Sequence, residues 1–213
     1  MNAPRYIVVE GPIGVGKTTL VRLLAERFGS RLLLEIVDEN PFLAKFYENP
    51  DGYAFQAQLF FLLSRYQQQR ELRQIDLFDR SIVSDYCFAK DRIFASITLD
   101  DHEMVLYNQI YAMLDTNVVR PDLLIYLQAN PDILIERIRK RKRKYEQHIN
   151  IDYLERLSQS YNQFFFQYSD TPLLVVDTST IDYVNRHQDL DDLIHEIKTH
   201  KKGTWYYVPV ASR

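Results

Sequence analysis

Short apolar runs recur along the chain at Tyr6 to Glu10, Leu32 to Glu35, Leu77 to Ser81, Leu123 to Leu127 and Leu173 to Asp177. Apart from the polar residues that close them, the runs are apolar on both faces, as expected of parallel strands buried on both sides. Longer segments with helical spacing separate them. Thr18 to Phe28 is amphipathic, and Tyr53 to Gln74 carries Phe55, Leu59, Leu62, Leu63 and Tyr66. Pro41, Pro50, Pro121, Pro131 and Pro172 punctuate the connections. The alternation predicts an α/β fold, a five-stranded parallel sheet between layers of helices. No repeat, low-complexity tract or linker interrupts it, so residues 1–213 read as one domain.

The first run leads into Gly11-Pro12-Ile13-Gly14-Val15-Gly16-Lys17-Thr18, which fills every position of G-x-x-x-x-G-K-[ST]. Strand before and helix after is the setting in which that pattern forms a phosphate-binding loop. Its backbone N–H groups and the helix N-terminus cradle phosphates. Lys17 can reach the β- and γ-phosphates and the Thr18 hydroxyl can ligate Mg²⁺. The expected nucleotide-binding set is Gly11, Ile13, Gly14, Val15, Gly16, Lys17, Thr18 and Thr19. The fold type is therefore that of the phosphate-loop NTPases.

In open parallel sheets ligands gather beyond the carboxyl ends of the strands, so the polar residues closing each run carry weight. Glu35 closes the second run, where it is either a proton acceptor or a surface acid. Asp79-Arg80-Ser81 closes the third. Asp79 there is either a metal-holding carboxylate or half of a structural ion pair, and Arg80 can bridge phosphates and carboxylates. On the long helix, Gln58 and Arg65 lie two turns apart on one face. They could read a nucleobase edge or belong to a solvated stripe. The run from Arg137 to Lys144 is densely basic, with Arg137 and Arg141 spaced to project from one side. It reads as a lid closing over a triphosphate rather than a nucleic-acid patch, because it stands alone.

Composition narrows the classes further. Hydrophobic residues make up 46% and charged residues 26%, which suits a globular protein, and a net charge of -3 argues against a nucleic-acid partner. Cys87 is the sole cysteine, so no internal disulfide can form and a reducing, cytoplasmic setting is expected. No stretch approaches the ~18 apolar residues of a membrane span, and Tyr6 to Val9 is too short for a signal-peptide core. The aromatic tail, Thr204 to Val210, is either an extra strand packed on the domain or a partner contact, with packing favoured.

Together these residues resemble the deoxynucleoside kinase family, which contains deoxycytidine, deoxyguanosine and deoxyadenosine kinases. Glu35-Ile36-Val37 is similar to the family's E-x-V element, whose glutamate is the general base for the sugar 5′-hydroxyl. Asp79-Arg80-Ser81 resembles its E/D-R-S motif, which implies a catalytic Arg80 contacting substrate, with Asp79 and Thr18 at the metal. Arg137, Arg141 and Arg143 match lid arginines. Glu146 and Tyr47 match residues on the sugar 3′-hydroxyl, and Gln58 the glutamine that pairs with the base. Arg65 and Asp85 match a charged pair beneath the base that is missing where thymidine is accepted.

The run Val37 to Leu43 is similar to bacterial deoxyadenosine and deoxyguanosine kinases. The resemblance thus implies ATP- and Mg²⁺-dependent phosphorylation of a purine deoxynucleoside, with a deoxycytidine-preferring enzyme as the alternative. It also implies a homodimer and a lid over about 137–148. Two positions depart from the pattern: Asp79 stands where many members have glutamate, and Lys142 where the lid usually has glycine. A thymidylate-kinase-like enzyme is the nearest rival, but it needs an arginine near the end of the second strand, where this chain has Glu35. A non-catalytic relative would be expected to lose Lys17, Glu35 or the lid arginines, and all are present.

Overall fold

The apolar runs become parallel strands because both of their faces find helices. The computed structural model describes residues 4–74, 81–115, 118–143, 146, 149–199 and 202–209. Its strands are β1 (Tyr6–Glu10), β2 (Arg31–Leu33), β3 (Ile82–Ser84), β4 (Leu123–Gln128), β5 (Leu173–Asp177) and β6 (Thr204–Tyr207). They form one sheet in the order β2-β3-β1-β4-β5-β6, with every neighbouring pair parallel. The helices are α1 (Lys17–Phe28), α2 (Leu43–Glu48), α3 (Pro50–Gln74), α4 (Lys90–Thr98), α5 (Asp101–Asp115), α6 (Pro131–Arg141), α7 (Ile151–Phe166) and α8 (His187–Thr199).

Successive residues of β1 point to opposite faces, and each face has its own core. Ile7 and Val9 pack with Leu20 and Leu24 of α1, Leu134 of α6 and Leu193 of α8. Tyr6 and Val8 pack with Ile93 of α4 and with Leu157, Tyr161 and Phe165 of α7. Each fully buried aliphatic side chain contributes about 1.5–3 kcal/mol. Two of the helices, α6 and α7, start at capping asparagines. Asn130 accepts the Asp132 N–H ahead of Pro131, and Asn150 accepts the Tyr153 N–H. β1 lies between β3 and β4, so the chain leaves it toward both sides of the sheet and opens a crevice at its carboxyl end.

Three expectations change. The sheet has six strands, not five: the aromatic tail pairs with β5, placing Leu173 beside Thr204 and Val176 beside Tyr207. Trp205 and Tyr207 turn toward the core while Tyr206 stays exposed, the half-buried alternation of an edge strand. β2 covers Arg31–Leu33, so Glu35 lies just beyond it. The third strand is Ile82–Ser84, because Ile82 and Val83 take register against Tyr6 and Ile7. The residue that follows it at the carboxyl edge is therefore Asp85. Asp79 and Arg80 lie outside the described residues. No helix among the described residues is long and apolar enough to cross a membrane.

Candidate active site

The phosphate loop is anchored from below by a residue that sequence reasoning missed. Glu10 is fully buried and accepts the N–H of Gly11 at 2.9 Å, the N–H of Cys87 at 3.0 Å and the Tyr161 hydroxyl at 3.1 Å. One carboxylate thus ties the start of the loop to the segment after β3 and to α7. Its only sequence signal was an acid closing an apolar strand directly before a glycine. The loop leaves no room for larger residues. A Cβ on Gly11 would lie 2.5 Å from the Leu127 carbonyl oxygen of β4. At Gly16, where φ is 104°, it would strike the Tyr183 hydroxyl, which itself donates to the Gly16 carbonyl. Lys17 folds back over the loop, its Nζ donating to the carbonyls of Gly11 at 2.7 Å and Pro12 at 3.1 Å. Burial, reinforced by the charge of Lys90, lowers its pKa to about 8.

Beside the loop stands a cluster of buried charges. Asp85 accepts the Thr18 hydroxyl at 2.6 Å on one oxygen and the Glu35 N–H at 2.7 Å on the other. The Glu35 carboxylate is gripped by Arg65 on one oxygen and by Lys90 Nζ, 2.7 Å away, on the other. Arg65 also pairs with Asp91, which is fully buried. Burial would raise the Glu35 pKa, but Arg65 and Lys90 outweigh it and hold the carboxyl well below the usual range. Burial pushes Asp91 the other way, up to about 7, against the pull of Arg65.

The expected Arg65–Asp85 pair does not form. Asp85, just after β3, turns to the phosphate loop, while α4 packs on α3 and brings Asp91 to Arg65. Lys90 and Asp91 are members of this charge cluster that the sequence did not reveal. A basic–acidic dipeptide at a helix start looks like surface, and only the packing of α4 buries it.

A cavity of about 280 Å³ opens above these groups. Ile13, Gly14, Lys17 and Thr18 line its phosphate side, and Glu35, Arg65, Asp85 and Lys90 its floor. Tyr47, Gln58, Arg141, Arg143 and Glu146 complete the wall. Gln58 is buried. Arg141 grips Glu146 with two hydrogen bonds of 2.7 Å, and Arg143 lies 3.7 Å from the same carboxylate. Arg137 reaches the phosphate loop from α6. It donates to the carbonyls of Val15 and Thr178, fastening the phosphate loop to the segment after β5. A second cavity, of about 430 Å³, lies on that side, lined by Gly16, Thr19, Arg137, Asp182 and Tyr183. Lys142 ends α6 at φ 53°, the only non-glycine residue with positive φ among those described. The lysine keeps the left-handed turn that a glycine would adopt more easily.

A phosphate cradle facing an ionised carboxylate across one cavity suits phosphoryl transfer to an alcohol. The deoxynucleoside kinase family model matches residues 7–202. The chain belongs to the deoxynucleoside kinase family. It is 36% identical over 203 residues to the deoxyguanosine kinase of Bacillus subtilis, covering 93% of this chain and 98% of that protein. It is 30% identical to the deoxyadenosine/deoxycytidine kinase of the same organism, covering 90% of each. The deoxyadenosine kinase of M. mycoides with bound dATP superposes with a TM-score of 0.81 at 25% identity, covering 91% of this chain and 100% of that one. Membership makes this chain a phosphotransferase acting on deoxynucleosides.

Proposed function

We propose that this kinase transfers the γ-phosphoryl group of ATP to the 5′-hydroxyl of a purine deoxynucleoside, deoxyguanosine or deoxyadenosine. The observation that carries this is Glu35, held ionised by Arg65 and Lys90 in the cavity that Lys17 and Gln58 also line. An ionised carboxylate there can take the proton of an entering alcohol, worth ~10²–10⁴-fold in rate. The 5′-oxygen then attacks the γ-phosphorus, and ADP departs with the electron pair of the broken bond.

Lys17 swings from its carbonyls to the β- and γ-phosphates, and Arg141 and Arg143 face the same charge from the lid, about 137–148. Gly14, Val15, Gly16, Thr19 and Arg137 sit on the donor side. Gln58 and Arg65 orient the base, and Tyr47 with Glu146 the sugar. The chemistry of Thr18 and Asp85, two hard oxygen donors at the foot of the loop, fits Mg²⁺, and both would hold it. When bound, that ion neutralises charge on the phosphates.

Purine preference is supported by the named activities of the Bacillus subtilis relative and the M. mycoides neighbour. A thymidylate-kinase-like reading is disfavoured by Glu35, whose charge would repel an acceptor phosphate. A homodimer completes the proposal. Leu63 of α3 and Val105, Leu106 and Met113 of α5 are large apolar side chains exposed on neighbouring helices, the kind of face a second copy covers. A cytoplasmic setting, where ATP and reduced Cys87 belong together, fits the same reading. The test is a kcat/KM comparison of the four deoxynucleosides with ATP and Mg²⁺. The two purines should lead and thymidine should trail; a thymidine preference would overturn the assignment.

A further inference from the structure

Lys90 is an ammonium that burial and the start of a helix oppose and that the carboxylates of Glu35 and Glu10 keep charged. It is the first residue of α4, at the positive end of the helix dipole, and only 4% exposed. Arg65, a second buried cation, shares its partner Glu35. An apolar residue of similar length would fill this space without the desolvation cost of a charge. Lys90 also acts on the phosphate side of the site. Its ammonium and that of Lys17 line one cavity with Glu35 and Thr18.

We propose that Lys90 is a further catalytic residue, whose ammonium faces the phosphoryl group as it passes from ATP to the sugar hydroxyl. The proposal rests on the reading of Glu35 as the proton acceptor. Before the reaction Glu35 and Lys90 neutralise each other. When Glu35 takes the 5′-hydroxyl proton, the O5′–phosphorus bond forms and the bond to the ADP oxygen breaks, its electron pair leaving with ADP. Glu35 is then a neutral acid, and Lys90 has lost its anion as a new one arrives beside it. The ammonium is handed from carboxylate to phosphate, so its attraction is stronger during transfer than before it.

Binding of the reaction product tests this without relying on turnover. The probes are the deoxynucleoside preferred among the four acceptors and its 5′-monophosphate, titrated by calorimetry. The comparison is between Glu35→Gln and Glu35→Gln/Lys90→Met, since replacing both members of a buried pair preserves charge balance and folding. Losing a charged hydrogen bond to phosphate should weaken monophosphate binding about tenfold or more, while deoxynucleoside binding changes less than about threefold. Glu35→Gln/Lys90→Arg should retain the monophosphate affinity, which a packing role would not require. Equal losses for both ligands, or no loss for the monophosphate, would overturn the proposal. Turnover of Glu35→Gln separates the two readings: full activity would refute the proton acceptor, whereas the monophosphate comparison judges Lys90.

Discussion

The two ends of the cavity are built by different physics. The phosphate end is one continuous stretch, Gly11 to Thr18, whose shape comes from backbone conformation and from glycines crowded by Leu127 and Tyr183. The acceptor end is assembled from three places in the chain. Glu35 follows β2, Arg65 sits on α3, and Lys90 with Asp91 opens α4, joined by ion pairs spanning 30, 26 and 55 positions. The first end takes its shape from one contiguous stretch that Glu10, Arg137 and Tyr183 hold in place. The second is a balance of buried charges, in which removing any one member leaves another uncompensated. Recognition of phosphate is thus a property of a loop, while placement of the attacking group is a property of the whole fold.

Substitutions should separate the two ends. Glu35→Gln, at the acceptor end, should lower kcat by ~10²–10⁴-fold with little change in deoxynucleoside affinity, measured by steady-state kinetics beside calorimetry. Comparable losses in rate and affinity would make Glu35 a binding residue instead. Asp91→Leu should cost about 3–5 kcal/mol in urea unfolding, because Arg65 would lose one of its two anions inside the protein. Asp85→Leu leaves both Arg65 pairs in place and should chiefly weaken MgATP binding through Thr18. If the two variants behave alike, the assignment of separate partners fails.

These same residues show what a sequence can and cannot reveal. The phosphate loop was legible because its eight positions are contiguous and their spacing is the mechanism. The strands β1, β4 and β5 were legible because both faces are apolar. Glu35 was found because it closes a strand near that loop. Arg65 was found too, but its partner was misread, since Asp85 and Asp91 are both acids in the short stretch that follows β3. Only the docking of α4 on α3 decides between them. Lys90 gave no signal, because burial of a lysine depends on contacts 55 positions away. The tail's packing on the domain as an extra strand was legible, but it was left out of the strand count because an edge strand lacks the two-sided apolar run used to count the others.

A smaller effect sharpens the phosphate end. Lys17 has a folded-state pKa of about 8, below its ordinary 10.5. The folded protein therefore binds that proton less tightly than the unfolded chain, and the penalty for keeping Lys17 charged eases as pH rises from about 8 to 10.5. For activity the sign is opposite, since only the ammonium pairs with phosphate. kcat/KM for ATP should fall as pH climbs through about 8, and a flat profile across that range would contradict the role of Lys17.

The smallest effect lies at the lid. Lys142→Gly removes the strain of a left-handed lysine, about 1 kcal/mol, and should raise Tm by roughly 2–4 °C. A lower Tm would show that the lysine side chain holds the turn.

The most direct measurement is a crystal structure with a deoxynucleoside and ADP bound. The 5′-oxygen should lie about 2.6–3.2 Å from a Glu35 carboxylate oxygen, with the Lys17 ammonium on the phosphates. A closed complex in which the Glu35 carboxylate points away from that oxygen would contradict the account.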